Sequence, residues 1–501
     1  MEYHLFRIRG CDIIIVASSF LVYSDYLEKR AIYHVSGADF FLYRPFIFLM
    51  SSICYNKREM GELLMTIEEA IEWIHSRLPF GSRPGLDRVE ALLEVVGHPE
   101  RKVKTIHIAG TNGKGSTVAY LRSLLEEAGL IVGTFTSPYI ETFNERITIN
   151  GKSIPDNDLI QLVKKYQPLI KQLDQFEAVA GITEFETLTA MAFDYFLMKK
   201  VDVAIIEVGL GGLLDSTNVA VPMLTGITTI GLDHTEILGE TIGEIAAQKA
   251  GIIKQGVPVV TGNIGPEAFN VIKQTAKEKN AMLYVYGENY KINYLHPDET
   301  WGEVFEFFNE AGKIPQLTTP LLGQHQAENA GVAIELYFVY CQLEKLPFRE
   351  KDVLKGLKKS RWPGRMERMS NEPLVVLDGA HNTHAMNRLV ENLKKEFKGY
   401  QINILFSALR TKNVREMLER LQQVPNVHIY LTTFEHPKAI ELSEVSDLAS
   451  ERVSIVSLWQ FGLADILEKM TNEDVLVVTG SLYFISEVRH LLIQLGGDHE
   501  V

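Results

Sequence analysis

From Met65 onward, short runs of β-branched and aliphatic residues alternate with stretches in which apolar positions recur every three or four residues. The first pattern is that of a buried strand and the second that of an amphipathic helix. Their alternation is the signature of βαβ units around a parallel sheet. The runs "VKTIHIAG", "LIVGTFTS", "VDVAIIEVG", "PMLTGITTIG" and "VPVVTG" each close on glycine, threonine or serine. Small polar residues therefore gather at the carboxyl edge, where open α/β sheets bind ligands. Between Asn289 and Thr319 the pattern weakens into mixed polar and aromatic text, read as an irregular or antiparallel excursion. After "RWPGRME" the alternation restarts with "PLVVLDG", "QINILFS", "NVHIYLTT", "RVSIVSLW" and "DVLVVTGS", separated by helical text such as "NTHAMNRLVENLKKEF". This predicts a second α/β domain, with Trp362-Pro363-Gly364 as the hinge.

The first 64 residues stand apart. "CDIIIVASSFLVY" (Cys11 to Tyr23) and "PFIFLMSSICY" (Pro45 to Tyr55) are apolar, but both fall short of the roughly twenty residues that a spanning helix needs. The first run is preceded only by Arg7 and Arg9, and no small-residue cleavage site follows, so a signal peptide is poorly matched. Residues 1–64 are read as a non-essential extension ahead of an ordinary amphipathic start at "MTIEEAIEWIHSRLPFG"; a tether to a membrane or partner is the alternative.

Composition narrows the class. A chain of 501 residues, 46% hydrophobic, holds two or three packed domains. A formal net charge of −14 argues against a general nucleic-acid binder, which needs a basic surface, and directs attention to small molecules. Cys11, Cys54 and Cys341 form no CxxC pair, so neither a disulfide framework nor a cysteine zinc site is supported, and a reducing cytoplasm fits.

The chemistry begins at "GTNGKGST". Gly110, Gly113 and Gly115 let the backbone turn its N–H groups onto phosphate oxygens, and the following helix adds its positive end. Lys114 supplies a point charge and Ser116 a hydroxyl for Mg²⁺, with Asn112 in the same loop. Gly115 stands where the usual P-loop has its serine or threonine, so the strict pattern fails while the physics survives. A glycine-rich turn that only packs a helix, Thr117 to Gly129, on a sheet is the structural alternative. "VDVAIIEVG" delivers Glu207 to the carboxyl end of a buried strand, as a metal-holding or merely salt-bridged carboxylate. Asp233 and His234 follow another strand, and the helix after them carries Lys249. The expected fold class is thus a P-loop mononucleotide-binding parallel-sheet domain (65–362) followed by a smaller Rossmann-like α/β domain (363–501).

These pieces, in this order, resemble the folylpolyglutamate synthase/dihydrofolate synthase family of the Mur ligase superfamily. The resemblance covers Met65 to the carboxyl terminus and rests on "FGSRPGLDRVEALLE", "IHIAGTNGKGST", "TSPYIETFNERITING", "VGLGGLLDSTNV", "GLDHTEILGETIGEIAAQKAGIIK", "GQHQAENA", "RWPGRME", "LDGAHN" and "VVTGSLY". It implies that Gly113 to Ser116 hold the phosphates of ATP, and that Ser116, Ser137, Glu207 and His234 face two Mg²⁺ ions. It implies a carbamylated Lys249, which makes sense because a carbamate offers oxygens to a hard cation where an ammonium does not. Asn329, Arg365 and Asp378 are then ATP contacts with His381 beside them, placing the nucleotide between the domains. Lys114, Lys249 and His381 become the catalytic candidates. Asp87 and Arg88 in "GLDR", Thr183, Phe185 and Glu186 in "TEFE", and Asp215 and Ser216 in "LDS" match segments that line the folate or dihydropteroate pocket. For these the plain alternatives are surface helix residues and a core aromatic.

The chain departs from the family pattern at Leu213, Tyr139, "LRTKN" (Leu409 to Asn413) and Lys438. The last two fall in the domain that receives glutamate, so no glutamate residues are assigned from sequence. The implied reaction is an ADP-forming amide ligation of L-glutamate to folate or dihydropteroate through an acyl phosphate, by a monomer without nucleic-acid or membrane partners. A ligase for a peptidoglycan precursor and a P-loop ATPase switch are the rival readings.

Overall fold

The computed structural model describes residues 3–8, 11–16, 65–77, 85–139 and 141–496. Most of the amino-terminal extension, and Leu78 to Pro84, which include the first five residues of "FGSRPGLDR", lie outside these residues. In the extension, β1 (Tyr3–Ile8) pairs antiparallel with β2 (Cys11–Val16). No helix among the described residues is long and apolar enough to cross a membrane.

From Met65 the chain forms one compact unit built on two main sheets. The first contains β3 (Thr105–Ala109), β4 (Val132–Phe135), β5 (Ile147–Ile149), β6 (Lys152–Ser153), β7 (Val203–Glu207), β8 (Leu224–Ile227), β9 (Val259–Thr261) and β10 (Leu283–Val285). Their spatial order is β10-β9-β8-β3-β7-β4-β5-β6, parallel from β10 to β4, with antiparallel β5 and β6 at one edge. β3, β4 and β7 are buried at every position, as strands covered on both faces must be. One face packs on the helices Lys114–Glu127, Gln324–Glu344 and Glu350–Lys359. The other face packs on Ile67–His75, Asp87–Val95, Asp156–Leu173 and Glu184–Lys199.

The weakly patterned stretch is a three-stranded antiparallel sheet: β11 (Lys291–Pro297), β12 (Glu303–Asn309) and β13 (Gly312–Thr319). The second α/β half holds β14 (Glu367–Asn371), β15 (Leu374–Asp378), β16 (Gln401–Phe406), β17 (Val427–Leu431), β18 (Val453–Ile455) and β19 (Asp474–Thr479). Their order is β14-β15-β19-β16-β17-β18, all parallel except β14.

Two local expectations need correction. The helix after the glycine loop starts at Lys114, three residues earlier than its apolar pattern suggests, and it is not amphipathic. Ser116 to Leu121 and Ser123 to Leu125 are all buried, because sheet and helices enclose it. The stretch "HTEILGETIGEIAAQKA" forms two helices, Thr235–Leu238 and Ile242–Ala250, parted at Gly239 (φ 113°) and restarted by a Thr241/Glu244 capping box.

The enclosure has a checkable consequence. A Cβ on Gly356 would lie 3.0 Å from the backbone N of Leu124 in the loop helix. Gly356→Val is therefore expected to force the two helices apart and cost about 1–3 kcal/mol in urea unfolding; an unchanged midpoint would show that this contact yields freely.

Candidate active site

β3 delivers the chain to a turn at Gly110–Gly113, and Gly113 (φ 85°) caps the helix Lys114–Glu127 in the left-handed conformation that glycine tolerates. The turn is fastened to the end of β8: Thr111 N donates to Thr229 O (2.7 Å), Asn112 N to Thr229 Oγ1 (3.1 Å), and Thr228 Oγ1 to Asn112 O (2.6 Å). Lys114 Nζ folds back onto Gly110 O (2.9 Å). A Cβ on Gly115 would lie 2.4 Å from Cζ2 of Trp362, and one on Gly113 would lie 2.4 Å from Oδ1 of Asn329. The glycine that breaks the general P-loop pattern is therefore required by the hinge tryptophan packed on it.

A cavity of about 200 Å³ opens over this loop. It is lined by Asn112, Gly113, Lys114, Gly115 and Ser116, by Ser137, His234, Lys249 and Asn329, and across the crevice by Arg365, Asp378 and His381. Glu207 is buried beside it, accepting from Ser137 N at 3.4 Å, and burial pushes its carboxyl up to about 7 against the pull of Lys114 and Arg365. Lys249 is buried on the helix Ile242–Ala250; burial, then the Lys114 ammonium, brings its amine down to about 7. Asp378 accepts from Met366 N (3.0 Å) and Ala380 N (2.9 Å), stapling the hinge exit to the end of β15. His381 Nδ1 donates to Gly379 O (2.8 Å), which leaves Nε2 as the bare acceptor. Burial, helped by Arg365 and Lys412, brings this imidazole down to about 4. The crevice is bridged by Asn382 Nδ2 donating to Asp233 Oδ2 (3.2 Å).

A second cavity, about 770 Å³, meets the first at Ser137, Gly209, Leu210, His234 and His381. Thr183, Phe185, Asp215 and Ser216 line it. Asp87, Arg88 and Glu186 line neither cavity: Asp87 is exposed, and Arg88 pairs with buried Glu186 at 2.8 Å. Glu186 also closes a capping box on Thr183, so its carboxylate is occupied at the helix start. Asp215 accepts from Leu210 N (2.8 Å) and Thr217 N (3.0 Å), holding the loop after β7.

Sequence reasoning missed Glu184 and Arg146, paired at 3.4 Å, and the wall made by Lys412, Lys438, Ser481 and Tyr483. The departures at "LRTKN" and "HPKA" were the signal for the two lysines. Nothing in the text marked Glu184 within "TEFE".

The sequence matches the Mur ligase middle domain over residues 166–337 and the Mur ligase glutamate ligase domain over residues 364–482. With the two sheets and the crevice between them, these matches define a Mur-type ligase. The chain is 44% identical over 431 residues to dihydrofolate synthase/folylpolyglutamate synthase of Bacillus subtilis, covering 85% of this chain and 99% of that one. The solved Mycobacterium tuberculosis folylpolyglutamate synthase, complexed with ADP and AMPPCP, superposes with TM-score 0.77 at 29% identity, covering 85% of this chain and 99% of that one. An FPGS–AMPPCP–folate complex superposes with TM-score 0.74 at 35% identity, covering 86% and 100%. The chain belongs to the folylpolyglutamate synthase/dihydrofolate synthase family.

The histidine geometry is open to titration. Because the folded value of His381 lies below the unfolded 6.5, its contribution is fully present above pH 6.5 and is lost as pH falls towards about 4. The slope in that window is at most about 1.4 kcal/mol per pH unit. In histidine-labelled protein, the resonance lost in His381→Asn is expected to stay neutral and Nδ1-protonated from pH 8 to pH 5. A midpoint near 6.5 would contradict the arrangement.

Proposed function

We propose that the protein joins L-glutamate to a folate, and also to dihydropteroate, in an ATP-dependent, ADP-forming amide ligation through an acyl phosphate. The observation that carries this reading is the meeting of the two cavities. The cavity over a glycine loop suited to phosphate meets, at Gly209, Leu210 and His381, a larger, partly apolar cavity lined in part by Lys412 and Lys438. Relatives crystallised with AMPPCP, and with folate, support carrying ATP and folate to this chain.

A carboxylate is a poor acyl donor, and phosphorylation makes it a good one. The loop amides and Lys114 would hold and neutralise the triphosphate, with Asn329, Arg365 and Asp378 closing on the nucleotide from across the crevice. The acceptor's carboxylate oxygen attacks the γ-phosphorus, and ADP leaves. Lys412 and Lys438, with no carboxylate at ion-pairing distance among the described residues, would take glutamate's two carboxylates. Glutamate's ammonium sheds its proton to water, and the bare Nε2 of His381 would accept a hydrogen bond from the resulting amine. The freed amine attacks the acyl carbon and inorganic phosphate departs.

The donors fit Mg²⁺. Among the described residues no group of three or more His, Cys, Asp or Glu could cage a metal, and Mg²⁺ usually takes one or two carboxylates, phosphate oxygens and waters. Ser116, Ser137, Glu207 and His234 would hold two such ions, which supply charge neutralisation on the phosphates. Lys249 suits carbamylation: CO₂ would add to the amine with loss of a proton, and the carbamate would supply oxygens for a hard cation. Residues 65–362 are assigned to ATP, 363–501 to glutamate, and 1–64 to a dispensable extension.

Purified protein is expected to release ADP only when glutamate and either folate or dihydropteroate are both present; release indifferent to glutamate would overturn the ligase reading. Lys412→Met and Lys438→Met should each raise the KM for glutamate about 10- to 100-fold, the worth of a charge-assisted hydrogen bond, with the KM for ATP unmoved. An unchanged glutamate KM would remove the lysines from that role.

A further inference from the structure

His107 lies in the middle of β3, three residues before the glycine loop begins at Gly110, and none of the chemistry above uses it. It is 2% exposed, and burial holds its imidazole down at about 3, so it is neutral. A neutral histidine in a strand core is commonplace, but this one has an informative bonding pattern. Its Nε2 lies 2.8 Å from Oγ1 of buried Thr217. The Thr217 hydroxyl gives its own proton to Asp215 Oδ1, so Oγ1 accepts from His107, and Nε2 carries the hydrogen. Nδ1 is then bare, buried and without a partner. An aliphatic side chain would fill this core position without leaving a nitrogen unpaired, so the donor to Thr217 is what the imidazole adds.

The line of bonds continues to the reaction centre. Asp215, fixed at Oδ1 by Thr217, accepts Leu210 N at Oδ2 (2.8 Å), and Gly209 approaches so closely that an added Cβ would lie 3.2 Å from that oxygen. Gly209 and Leu210, immediately after Glu207 and Val208, are among the residues that line both cavities. If ATP occupies the first cavity and the acceptor the second, this wall sets how the attacking carboxylate meets the phosphoryl group.

We propose that His107 is a positioning residue for phosphoryl transfer: through Thr217 it fixes the Asp215 carboxylate, and through Asp215 the Gly209–Leu210 wall between the nucleotide and acceptor cavities. The proposal rests on the ligase reading. A wall in register lets the acyl phosphate form facing the amine, and a loosened wall admits water, which cleaves the acyl phosphate to carboxylate and inorganic phosphate. ATP is then spent without amide.

The test compares His107→Leu, His107→Gln and Thr217→Val in the full chain, measuring ADP released per glutamylated product, kcat, KM for ATP and the unfolding midpoint. His107→Leu and Thr217→Val are expected to raise the ADP-to-product ratio severalfold and to lower kcat about 10- to 100-fold, the scale of a small misplacement of reacting groups. KM for ATP should stay within about twofold. The double variant should be no worse than either single, because both break one line of bonds. His107→Gln, which keeps an N–H donor, should recover most of the coupling. Wild-type ratios in folded His107→Leu and Thr217→Val would overturn the proposal, as would equal defects in His107→Leu and His107→Gln that merely track the unfolding midpoint. Should His107→Leu fail to fold, Thr217→Val alone decides, by the same ratio. Wild-type protein that releases no glutamate-dependent ADP would instead sink the ligase reading, a result distinct from any difference among variants.

Discussion

The enclosure of the helix Lys114–Glu127 is the constraint on which the rest of the structure depends. If its amino end is to present backbone N–H groups to an anion, the glycine turn before it has to be anchored. Here the helix is buried along most of its length under the sheet and the helices Gln324–Glu344 and Glu350–Lys359. Its first turn is touched from two directions, by Asn329 on the helix Gln324–Glu344 and by Trp362 at the hinge. The loop's glycines thus provide room for neighbours as well as backbone freedom. Because Trp362 belongs to the segment joining the two halves, the geometry of the phosphate loop and that of the hinge are mechanically one.

That rigid frame bears an electrostatic burden. Glu207 and Lys249 are both buried at the first cavity, and burial drives each towards its neutral form instead of pairing it with its opposite. Buried ionisable groups left this way weigh against stability, and such arrangements concentrate at functional sites. Asp378 and Asp215, also buried, are treated differently: backbone N–H groups satisfy them and make them fasteners. The site therefore contains two kinds of acid, those completed by the fold and one, Glu207, with a single long hydrogen bond from Ser137.

The βαβ alternation and the two sheets were legible because buried parallel strands are continuous apolar runs ending in small polar residues, and that pattern is local. The lining of the first cavity was legible almost residue by residue, since the short strings carrying it converge at one sheet edge. The second cavity was less so. Thr183, Phe185, Asp215 and Ser216 reach the cavity, yet Asp87, Arg88 and Glu186, from the same strings, do not. Glu186 and Arg88 pair with each other across two helices, a tertiary fact that neither string contains. Glu184 faces the cavity because the helix begins at that residue, a matter of one position in register. The loop helix misled in another way: its apolar spacing looked amphipathic, while its polar positions Ser116, Thr117 and Ser123 are buried as well.

The contacts across the crevice are few in kind and mostly polar. Asn382 bonds Asp233, Arg489 joins Glu141 to Glu367, and Lys395 and Arg368 lie over the rings of Tyr294 and Trp301 at 4.1 and 4.6 Å. Each half has its own apolar core, with Leu322 and Trp301 of the first half packed into that of the second. Polar contacts of this kind exchange with water at small net cost, whereas separating apolar cores does not. If acyl transfer takes place in this crevice, the crevice must exclude water during the reaction and afterwards release ADP and a lengthened product. A junction held mainly by hydrogen bonds and cations over rings, with only Leu322 and Trp301 of the first half, among the described residues, packed into the second half's core, would meet both demands, because opening it would disturb few apolar contacts.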